Sequence, residues 1–358
     1  MQLILECLLV VILATLASYG FSFVSRIVAK RTNAIDVPNP KIGKKIHHVP
    51  TPLFGGLGIF FVGLIGTFLL AKIGLLAPAL NSTQLLTFGL GAVILLLVGL
   101  ADDRWTLKPH TLFPLYVLAC VVVVLGGTSV RHITNPAGGT FSLVAQQWNF
   151  LHGALSFAWP ADLLTVGWLL IMLFATKLMD GLDGLVTGQA AIGSAIILLL
   201  CLMPAYHLPA IALLSALAFG AYLGFLPVNV FPAKQFLGES GGTLAGFILG
   251  FLAIASGAKL ATALMAVGVA LIDVALVILG RFYRHVPITQ GDRTHLHHQL
   301  FDAGFSQRQT AAIIWLIGLV FGFAALALQT QGKIVLFCLL IVVTIGLSLY
   351  ATKHNRRP

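Results

Sequence analysis

The chain has 358 residues, of which 58% are hydrophobic and only 9% are charged, and its net charge is +10. About a quarter of the residues in ordinary globular domains are charged, so this composition excludes most soluble folds, and lipid must cover most of the surface. The basic residues occur in short loops between apolar runs, which indicates orientation in a membrane and excludes nucleic acid as the expected partner.

Apolar runs long enough to cross a bilayer, about 20 residues each, follow one another along the sequence. They predict ten or eleven transmembrane helices, at residues 3–25, 54–76, 84–101, 112–127, 161–178, 185–204, 207–226, 241–256, 259–280, 310–328 and 332–350. The predicted fold is all-α and polytopic, with one membrane-embedded domain over residues 1–358 and a basic cytoplasmic tail at 351–358. The four cysteines fall within apolar runs without metal-ligand spacing, which predicts packing roles.

Lys and Arg residues are unevenly distributed over alternate loops. All 21 of them fall in one set of loops except Lys72, Arg131, Lys259 and Lys333, and the positive-inside rule makes that set cytoplasmic. This orientation puts the N-terminus outside and favours an uncleaved first span. Most Asp and Glu residues lie on the same side, although acids contribute little to orientation. A polar site for a charged substrate is therefore predicted there.

The first polar segment, which precedes the second predicted span, contains Lys44, Lys45, His47 and His48. Lys45 and His47 could attract an anionic headgroup or the phosphate of a lipid substrate. The basic residues could equally serve only to orient the chain in the membrane. The sequence leaves both interpretations open.

Two adjacent carboxylates, Asp102 and Asp103, end the third predicted span, and Lys108 follows them. Adjacent carboxylates repel each other, so one is protonated unless a cation lies close by. Mg²⁺ prefers oxygen ligands and keeps substrate phosphates among them. The pair predicts either a centre of this kind, with Lys108 as a substrate contact, or a solvated helix end without further function.

The segment K-L-M-D-G-L-D-G-L-V-T-G begins at Lys177 and lies between two apolar runs. If it is helical, Asp180 and Asp183 stand on one face, and its glycines let a ligand or a neighbouring helix approach closely. A loop would explain the glycines but not two aspartates between membrane spans. The segment therefore favours a functional site with Asp180 and Asp183 in catalytic roles.

A carboxylate also opens the eighth predicted span, in the segment F-L-G-E-S-G-G, where Glu239 precedes Ser240 and two glycines. The start of a helix offers backbone N–H groups to an anion, and the carboxylate offers an oxygen to a metal ion. A capping loop with no further role is the alternative.

The ninth predicted span contains an acid, Asp273, about two turns before Arg281. An ionisable residue inside a span is costly to insert into lipid, which makes it a functional candidate by default. Arg281 stands at the cytoplasmic end of the same span and is a candidate contact for an anionic substrate.

The last polar segment, D-R-T-H-L-H-H, runs from Asp292 to His298. His295 and His298 are predicted to share a helical face, and Arg293 supplies a fixed cation for phosphate. Zinc binding is an alternative, but no thiolate stands nearby. The segment favours contacts of Arg293, His295, His297 and His298 with a phosphate or a sugar.

In this order, the segments D-D, D-G-L-D-G-L, F-x-G-acid-S-G and D-R-x-H-x-H-H resemble those of the polyprenyl-phosphate N-acetylhexosamine-1-phosphate transferases. The resemblance extends from Asp36 to about Gly304. It implies transfer of a sugar phosphate from a UDP-N-acetylhexosamine, with UDP-GlcNAc as the leading donor, to undecaprenyl or another polyprenyl phosphate, with release of UMP. It also implies Mg²⁺ or Mn²⁺ as cofactor and location in the cytoplasmic membrane, and it is compatible with a homodimer.

The resemblance implies a role for each candidate residue. Asp102 and Asp103 would lie at the phosphate–magnesium centre, Asp180 and Asp183 at the nucleotide and pyrophosphate, Glu239 with Asp103 and Asp183 among the magnesium ligands, and Lys177, Arg293, His295, His297 and His298 at the substrate. Two positions depart from the family pattern, because Lys177 stands where Asn is usual and Glu239 where Asp is usual. Asp102 is the candidate general base, and a covalent route through Asp183 stays open.

Three rival functions stay open at this point. The first is the same reaction with another donor, including UDP-MurNAc-pentapeptide. The second is a secondary transporter, which would place paired acids near the bilayer midplane on broken, repeated helices, whereas the acids of this chain gather at one face. The third is a non-catalytic membrane protein.

Overall fold

Helices dominate the computed structural model of the chain, which describes residues 1–38, 49–77, 79–135, 138–257, 260–286 and 293–355. The long helices are α1 (Gln2–Arg31), α2 (Gly55–Lys72), α3 (Ser82–Trp105), α4 (Pro109–Leu125), α5 (Ala161–Met179), α6 (Leu185–Leu202), α7 (Pro209–Asn229), α8 (Gly238–Ala255), α9 (Leu260–Tyr283), α11 (Gln307–Ala327) and α12 (Thr330–Lys353); a short helix, α10, spans Leu296–Asp302. Within the described residues, ten of the long helices are apolar and long enough to cross a bilayer, and α4 is a shorter apolar helix of 17 residues. The predicted polytopic all-α fold is confirmed, and the protein is a multi-pass membrane protein.

In the part of the chain that the structure describes, three antiparallel strand pairs lie between the helices. They are β1 (Ile35–Asp36) with β2 (Thr51–Pro52), β3 (His132–Thr134) with β4 (Thr140–Ser142), and β5 (Val144–Phe150) with β6 (Leu155–Pro160). The predicted all-α fold did not include these strands. Strands β1 to β4 have only two or three residues, which is too short for an alternating pattern to be visible in the sequence. Strands β5 and β6, of seven and six residues, are long enough to show one and were missed.

Two of the helices begin with a local capping signal that the sequence supplies directly. The side chain of Asn81 accepts a hydrogen bond from the backbone N–H of Gln84 at the start of α3, and the Gln84 side chain reaches back to the backbone of Asn81. Ser306 and Gln309 repeat this reciprocal arrangement at the start of α11. Each pair satisfies N–H groups that the first helical turn leaves without a partner.

Small residues bring the helices of the bundle close together. Gly220 and Gly224 of α7 lie against the backbone of α1, where an added Cβ would collide with carbonyl oxygens. The hydroxyl of Ser18 in α1 donates a hydrogen bond of 2.6 Å to the carbonyl of Ala221. Close backbone packing and interhelical hydrogen bonds are what join helices in lipid. The centre of the bundle is formed by α6, α7 and α8, whereas α1 and α12 turn most of their surface outwards.

The polar segments that contain Asp102, Lys177, Glu239 and His298 lie at or after the ends of the third, fifth, seventh and ninth long helices. Residues of all four segments line one cavity, so these segments meet at one end of the bundle, as the sequence predicts. The assignment of that end to the cytoplasm stays a prediction.

Candidate active site

A cavity of about 350 Å³ opens at the end of the bundle where the polar segments meet. Its polar lining consists of Asp36, Asp102, Asp103, Lys177, Asp180, Asp183, Asn229, Glu239, His298 and Gln307. We call it the carboxylate cavity. Four of the five predicted polar segments contribute to it, and the fifth, with Lys45 and His47, lies outside the described residues.

Asp102 and Asp103 occupy the last turn of α3, which ends where Thr106 adopts a left-handed conformation with φ of 51°. The Oδ1 atom of Asp102 accepts a hydrogen bond of 2.6 Å from the backbone N–H of Leu107. The Oδ1 atom of Asp103 accepts one of 2.8 Å from the backbone N–H of Glu239. The first turn of α8 thereby holds Asp103 in place.

The second oxygen of Asp103, Oδ2, is buried and has no hydrogen-bond partner among the described residues. It lies against Gly238, where a Cβ would collide with the Asp103 carboxylate and where φ is +76°. Only glycine adopts this backbone conformation without strain and leaves the space open. A buried carboxylate oxygen without a donor is unfavourable in the free protein, so this atom is available to an external cation.

Asp180 and Asp183 lie in a tight turn between α5 and α6 rather than on a helix. The helix on which a common face for these two aspartates depended is absent here, because α5 ends at Met179 and Gly184 has a left-handed φ of 76°. The turn nevertheless presents both carboxylates to the cavity. The Oδ2 atom of Asp183 accepts a hydrogen bond of 2.9 Å from the backbone N–H of Ala233.

Asp180 titrates in an unusual range for a carboxyl group. Although solvent reaches the residue from the open side of the cavity, enclosure by protein raises the pKa of Asp180 to about 7, and the negative charges of Glu239 and Asp183 contribute in the same direction. A cation placed among these carboxylates would favour the ionised form of Asp180.

Lys177 and Glu239, the two positions that depart from the family pattern, form an ion pair with each other across the cavity wall. The hydroxyl of Tyr116, in α4, also hydrogen-bonds to the Oε1 atom of Glu239 and lies 3.2 Å from the Lys177 ammonium group. The same ammonium group lies 5.0 Å from the centre of the Tyr116 ring. Lys177 therefore neutralises part of the negative charge of Glu239 within the protein.

Tyr116 was not among the predicted site residues, because it lies within the apolar run of α4 and has no polar neighbour in the sequence. Its ring is fully buried against Phe174, with ring centres 5.9 Å apart. A buried tyrosine needs a partner for its hydroxyl, which is the one signal that could have singled it out. The magnesium-ligand role of Glu239 stays a prediction, since one of its oxygens already engages Lys177 and Tyr116.

The histidine segment does not present all of its side chains to the carboxylate cavity. His295 precedes α10 with extended backbone, and its Nδ1 atom lies 2.8 Å from the Asp273 carboxylate. Asp273 also accepts a hydrogen bond of 2.7 Å from the N–H of Leu296. The predicted common helical face of His295 and His298 is wrong, because Asp273 holds His295 on the other side. Asp273 thus anchors the segment to α9.

His297 and His298 face the turn that contains Asp180 and Asp183. Their rings are 4.2 Å apart, and both lie against Gly181, where a Cβ would collide with His297. Complete burial lowers the pKa of His297 well below its usual value, and the neighbouring His298, His295 and Arg293 lower it further. His297 is therefore neutral at physiological pH, and His298 is the histidine that lines the cavity.

A second cavity, of about 400 Å³, lies on the far side of α10. We call it the arginine cavity, since Arg281, Arg284 and Arg293 line it together with Asp273 and Asp302. Arg293 makes two hydrogen bonds to the Asp302 carboxylate, of 2.5 and 3.2 Å. The structure therefore does not bring the predicted substrate contacts Arg281, Arg293 and His295 to the carboxylate cavity.

Lys108 also does not line the carboxylate cavity, since it precedes α4 and is exposed at the surface of the bundle. Its predicted contact with substrate stays a prediction. Asp292 lies outside the described residues.

Comparison with known proteins places this chain in a family. The sequence model of glycosyl transferase family 4 matches residues 85–257. A decaprenyl-phosphate N-acetylglucosaminephosphotransferase of Mycobacterium tuberculosis is 30% identical over 355 residues, which cover 89% of this chain and 82% of the relative. The chain belongs to glycosyl transferase family 4. The predicted family membership is confirmed.

Other relatives show similar likeness. A Bacillus subtilis protein named "Probable undecaprenyl-phosphate N-acetylglucosaminyl 1-phosphate transferase" is 29% identical over 89% of this chain and 85% of its own length. A phospho-N-acetylmuramoyl-pentapeptide-transferase of Moorella thermoacetica is 28% identical over 86% of this chain and 92% of its own length. The region matched by the family model contains Asp102, Asp103, Asp180, Asp183 and Glu239.

Proposed function

We propose that the protein transfers N-acetylglucosamine-1-phosphate from UDP-GlcNAc to a polyprenyl phosphate in the cytoplasmic membrane, with release of UMP. The observation that carries the proposal is the carboxylate cavity, which gathers five acids of three family segments at one end of a membrane-spanning bundle. The names of the relatives support a polyprenyl phosphate acceptor and a hexosamine phosphate as the transferred group.

The charge of the cavity supports the proposal that a divalent cation, Mg²⁺ or Mn²⁺, binds with the substrates. Among the described residues, its lining contains six acidic side chains and one lysine, while both proposed substrates are phosphate anions. Two like charges 4 Å apart repel each other by about 4 kcal/mol at an effective dielectric constant of about 20. Without added positive charge the cavity would repel the molecules that it is proposed to bind.

The residues present fit a magnesium ion. The donors are carboxylate oxygens, which Mg²⁺ prefers, and Asp103 contributes the buried oxygen that has no hydrogen-bond partner among the described residues. No group of three ligand side chains is preformed in the described part of the chain. This agrees with a Mg²⁺ ion that takes one or two carboxylates from the protein and its other ligands from phosphates and water.

Asp103 and Asp183 would hold this ion, and Asp180 would complete the ring of negative charge. Bound there, Mg²⁺ would neutralise the phosphates and stabilise the charge that develops on transfer. We propose that Lys177 also neutralises phosphate charge, since its ammonium group lies at the wall of the cavity beside Glu239.

In the proposed reaction, an oxygen of the lipid phosphate attacks the β-phosphorus of UDP-GlcNAc. The bond from that phosphorus to the bridging oxygen breaks, and UMP leaves with the electron pair. A phosphate monoester has a second pKa near about 6, so the acceptor is mostly dianionic at neutral pH and a base contributes little. Asp102, held by Leu107 at the cavity wall, is the proposed base for the protonated fraction. Positioning and charge neutralisation supply most of the rate.

The proposal is tested with purified full-length protein in nanodiscs, supplied with undecaprenyl phosphate, Mg²⁺ and one donor at a time. UMP and a lipid-linked product should form in equal amounts from UDP-GlcNAc, only when the lipid phosphate is present. Parallel reactions with UDP-GalNAc and UDP-MurNAc-pentapeptide decide the donor. Chelation of the metal should stop the reaction, and added Mg²⁺ should restore it. Solute uptake into vesicles without any UMP release would reject the transferase in favour of a transporter.

A further inference from the structure

The loop between α4 and α5 folds into two hairpins, β3–β4 and β5–β6, at the end of the bundle opposite the carboxylate cavity. None of its described residues lines either cavity. From Ile133 to Ala161 the sequence contains no Asp, Glu, Lys or Arg. An uncharged loop of this length is unusual for a segment that meets only water.

The β5–β6 hairpin has one aromatic face. Residues paired across the two strands point to the same face of a sheet, and the register places on one face the pairs Trp148 with Phe157, Phe150 with Leu155, and Gln146 with Trp159. The rings of Trp148 and Phe157 stack 5.8 Å apart. Trp148, Phe150 and Trp159 are nevertheless 45%, 51% and 45% exposed. The protein itself does not cover this face.

The opposite face of the hairpin is polar. Gln147, Asn149 and Ser156 lie there, and the Gln147 amide donates a hydrogen bond of 3.1 Å to Asn149. The guanidinium group of Arg131 donates one of 3.5 Å to the Gln147 carbonyl oxygen. The hairpin is thus amphipathic, with Gln147, Asn149 and Ser156 on one side and the aromatic rings, together with Gln146, on the other.

We propose that the β5–β6 hairpin is a membrane anchor whose aromatic face lies in the headgroup–acyl boundary of the leaflet at that end of the bundle. Strand β6 ends at Pro160 and α5 begins at the next residue, Ala161. Leu163 and Leu164, in the first turn of α5, are 54% and 52% exposed on the outside of a membrane-spanning helix. Trp159 therefore stands within one helical turn of side chains that contact lipid.

The depth of the hairpin follows from its hydrogen bonding. A two-stranded hairpin has unpaired N–H and C=O groups along both edges, which cannot be satisfied in the hydrocarbon core. Trp and other amphipathic rings prefer the interface, where the body of the ring contacts lipid and the polar part contacts water. At the interface, the edge N–H and C=O groups of β5–β6 can bind water while its aromatic rings contact lipid.

The smaller hairpin repeats the pattern. Ile133 and Phe141 are paired across β3 and β4 and are 42% and 56% exposed, whereas Thr134 pairs with Thr140 on the other face. Two adjacent hairpins with uncharged, exposed apolar faces at the same end of the bundle favour a lipid surface over a single protein partner.

Spin labels on the two faces of β5 test the proposal in full-length protein reconstituted into nanodiscs. Cys338 is the exposed cysteine among the native four, so single labels are introduced in a C338S background. W148C and F150C report the aromatic face, and Q147C and N149C are the matched controls on the polar face. The ratio of oxygen to nickel-chelate accessibility should be several-fold higher at 148 and 150 than at 147 and 149.

Three other results would overturn the anchor. Equal nickel accessibility on both faces would place the hairpin in water. Labels at 148 and 150 that are shielded from both reagents, with dipolar coupling between copies, would assign the face to a second copy of the chain. Shielding without coupling would assign it to another protein surface. Each variant is first compared with its parent by elution from a sizing column, so that misfolded samples are discarded.

A second measurement keeps the native hairpin intact. In liposomes that contain phospholipid brominated near the headgroup, W148F/W159F should lose part of the tryptophan quenching seen in the parent, because these two indoles are the ones proposed to lie at that depth. The conservative change keeps the aromatic face and does not touch either cavity. An unchanged quenched fraction would contradict the proposal even if the cysteine variants failed to fold.

Discussion

The two cavities on either side of α10 differ in how their charges are paired. In the arginine cavity, Asp302 is paired with Arg293, and Asp273 with His295. In the carboxylate cavity, Asp102, Asp103 and Asp180 make no ion pair with any described residue. Neighbouring segments of the sequence line the two cavities, but their acids differ in whether a basic side chain is paired with them.

This difference in charge pairing favours a structural role for the arginine cavity and a chemical role for the carboxylate cavity. An acid that is paired with a base inside the protein is compensated before any ligand arrives, and removing one partner of such a buried pair is costly. Several carboxylates gathered without a base repel one another and favour binding of a cation. The carboxylate cavity is therefore the proposed place of reaction. At the arginine cavity, Asp273 fastens the start of α10 to α9, and the Arg293–Asp302 pair holds the two ends of the same short segment together.

The sharpest way to break this comparison is to make the same substitution in each cavity. Asp102→Asn and Asp183→Asn should each reduce transfer by at least about 100-fold, the usual loss when a group that stabilises transition-state charge is removed. Both variants should remain folded in membranes, because Asn still accepts the hydrogen bonds from Leu107 and Ala233. UMP release at saturating UDP-GlcNAc measures the effect.

Asp302→Asn is the matched control, since it also removes one carboxylate near α10. We expect it to lower the melting temperature in detergent, because Arg293 loses its charged partner, and to reduce transfer far less than the other two changes. Near-full activity of Asp102→Asn and Asp183→Asn would remove both residues from the reaction. An equally inactive Asp302→Asn that remains folded would show that the two cavities act as one.

A second test adds a methyl group at Gly181, in the turn that faces α10 between the two cavities. Gly181→Ala should reduce transfer about tenfold, because a methyl group there collides with the buried ring of His297 and displaces His298 from the cavity wall. The overpacking should also destabilise the protein by about 1–3 kcal/mol.

Gly167→Ala supplies the comparison, since it makes the same chemical change on α5 at a position with nothing within 4 Å of the added group. It should leave both transfer and melting temperature nearly unchanged. If Gly181→Ala behaved in the same way, the histidines would not depend on close contact with this turn.

Much of this arrangement could be predicted from the sequence, because each polar segment stands at a predictable end of an apolar run. Alternating spans then bring Asp102, Asp180, Asp183 and Glu239 to one end of the bundle whatever the details of packing. The orientation of individual side chains is a different matter. His295 turns towards Asp273 because of a hydrogen bond over 22 positions of sequence, which no local pattern specifies.

The ion pair of Lys177 with Glu239 was also beyond a local pattern, since 62 positions separate the two residues. Taken one at a time, each appears only as a departure from the family. The contact between them links the two departures, because the ammonium group of Lys177 supplies the positive charge that pairs with the Glu239 carboxylate. Tyr116 completes the contact from α4, where an apolar run concealed it.

Lys177 and Glu239 form the one ion pair of the carboxylate cavity among the described residues. Substituting either residue therefore tests how charge pairing in this cavity affects the requirement for Mg²⁺. If Lys177 competes with Mg²⁺ for the Glu239 carboxylate, Lys177→Gln should lower the Mg²⁺ concentration for half-maximal transfer. Glu239→Gln should raise it. Each shift should be about fivefold, as expected for loss of an interaction of about 1 kcal/mol.

The measurement is a magnesium titration of UMP release, with the Mg²⁺-dependent rise in melting temperature as a readout that does not need turnover. Tyr116→Phe removes one hydrogen bond to Glu239 but no charge, so it should shift the titration less than either change. Shifts of the same sign in Lys177→Gln and Glu239→Gln would contradict competition between lysine and metal, and an unchanged titration in Glu239→Gln would count against its role as a ligand.

The smallest expected effect concerns His297, which lies between the two cavities and is neutral when buried. Its pKa is lower in the folded protein than the value of about 6.5 in an unfolded chain, so below that pH the unfolded state binds a proton that the folded state does not. Folding stability should therefore fall as the pH drops below about 6.5, by at most about 1.4 kcal/mol per pH unit from this residue.

His297→Leu should remove this part of the acid sensitivity, because leucine cannot be protonated and fills the same buried space. The test is the drop in melting temperature between pH 7.5 and 5.5, which should be smaller in His297→Leu than in the parent. His110→Gln, at an exposed position, should leave the drop unchanged. Since His297 carries no charge in the folded state, it adds no positive charge to the acidic side. An equal drop in all three proteins would mean that His297 is protonated while folded, and the contrast between an acidic and a basic cavity would then be weaker than the structure indicates.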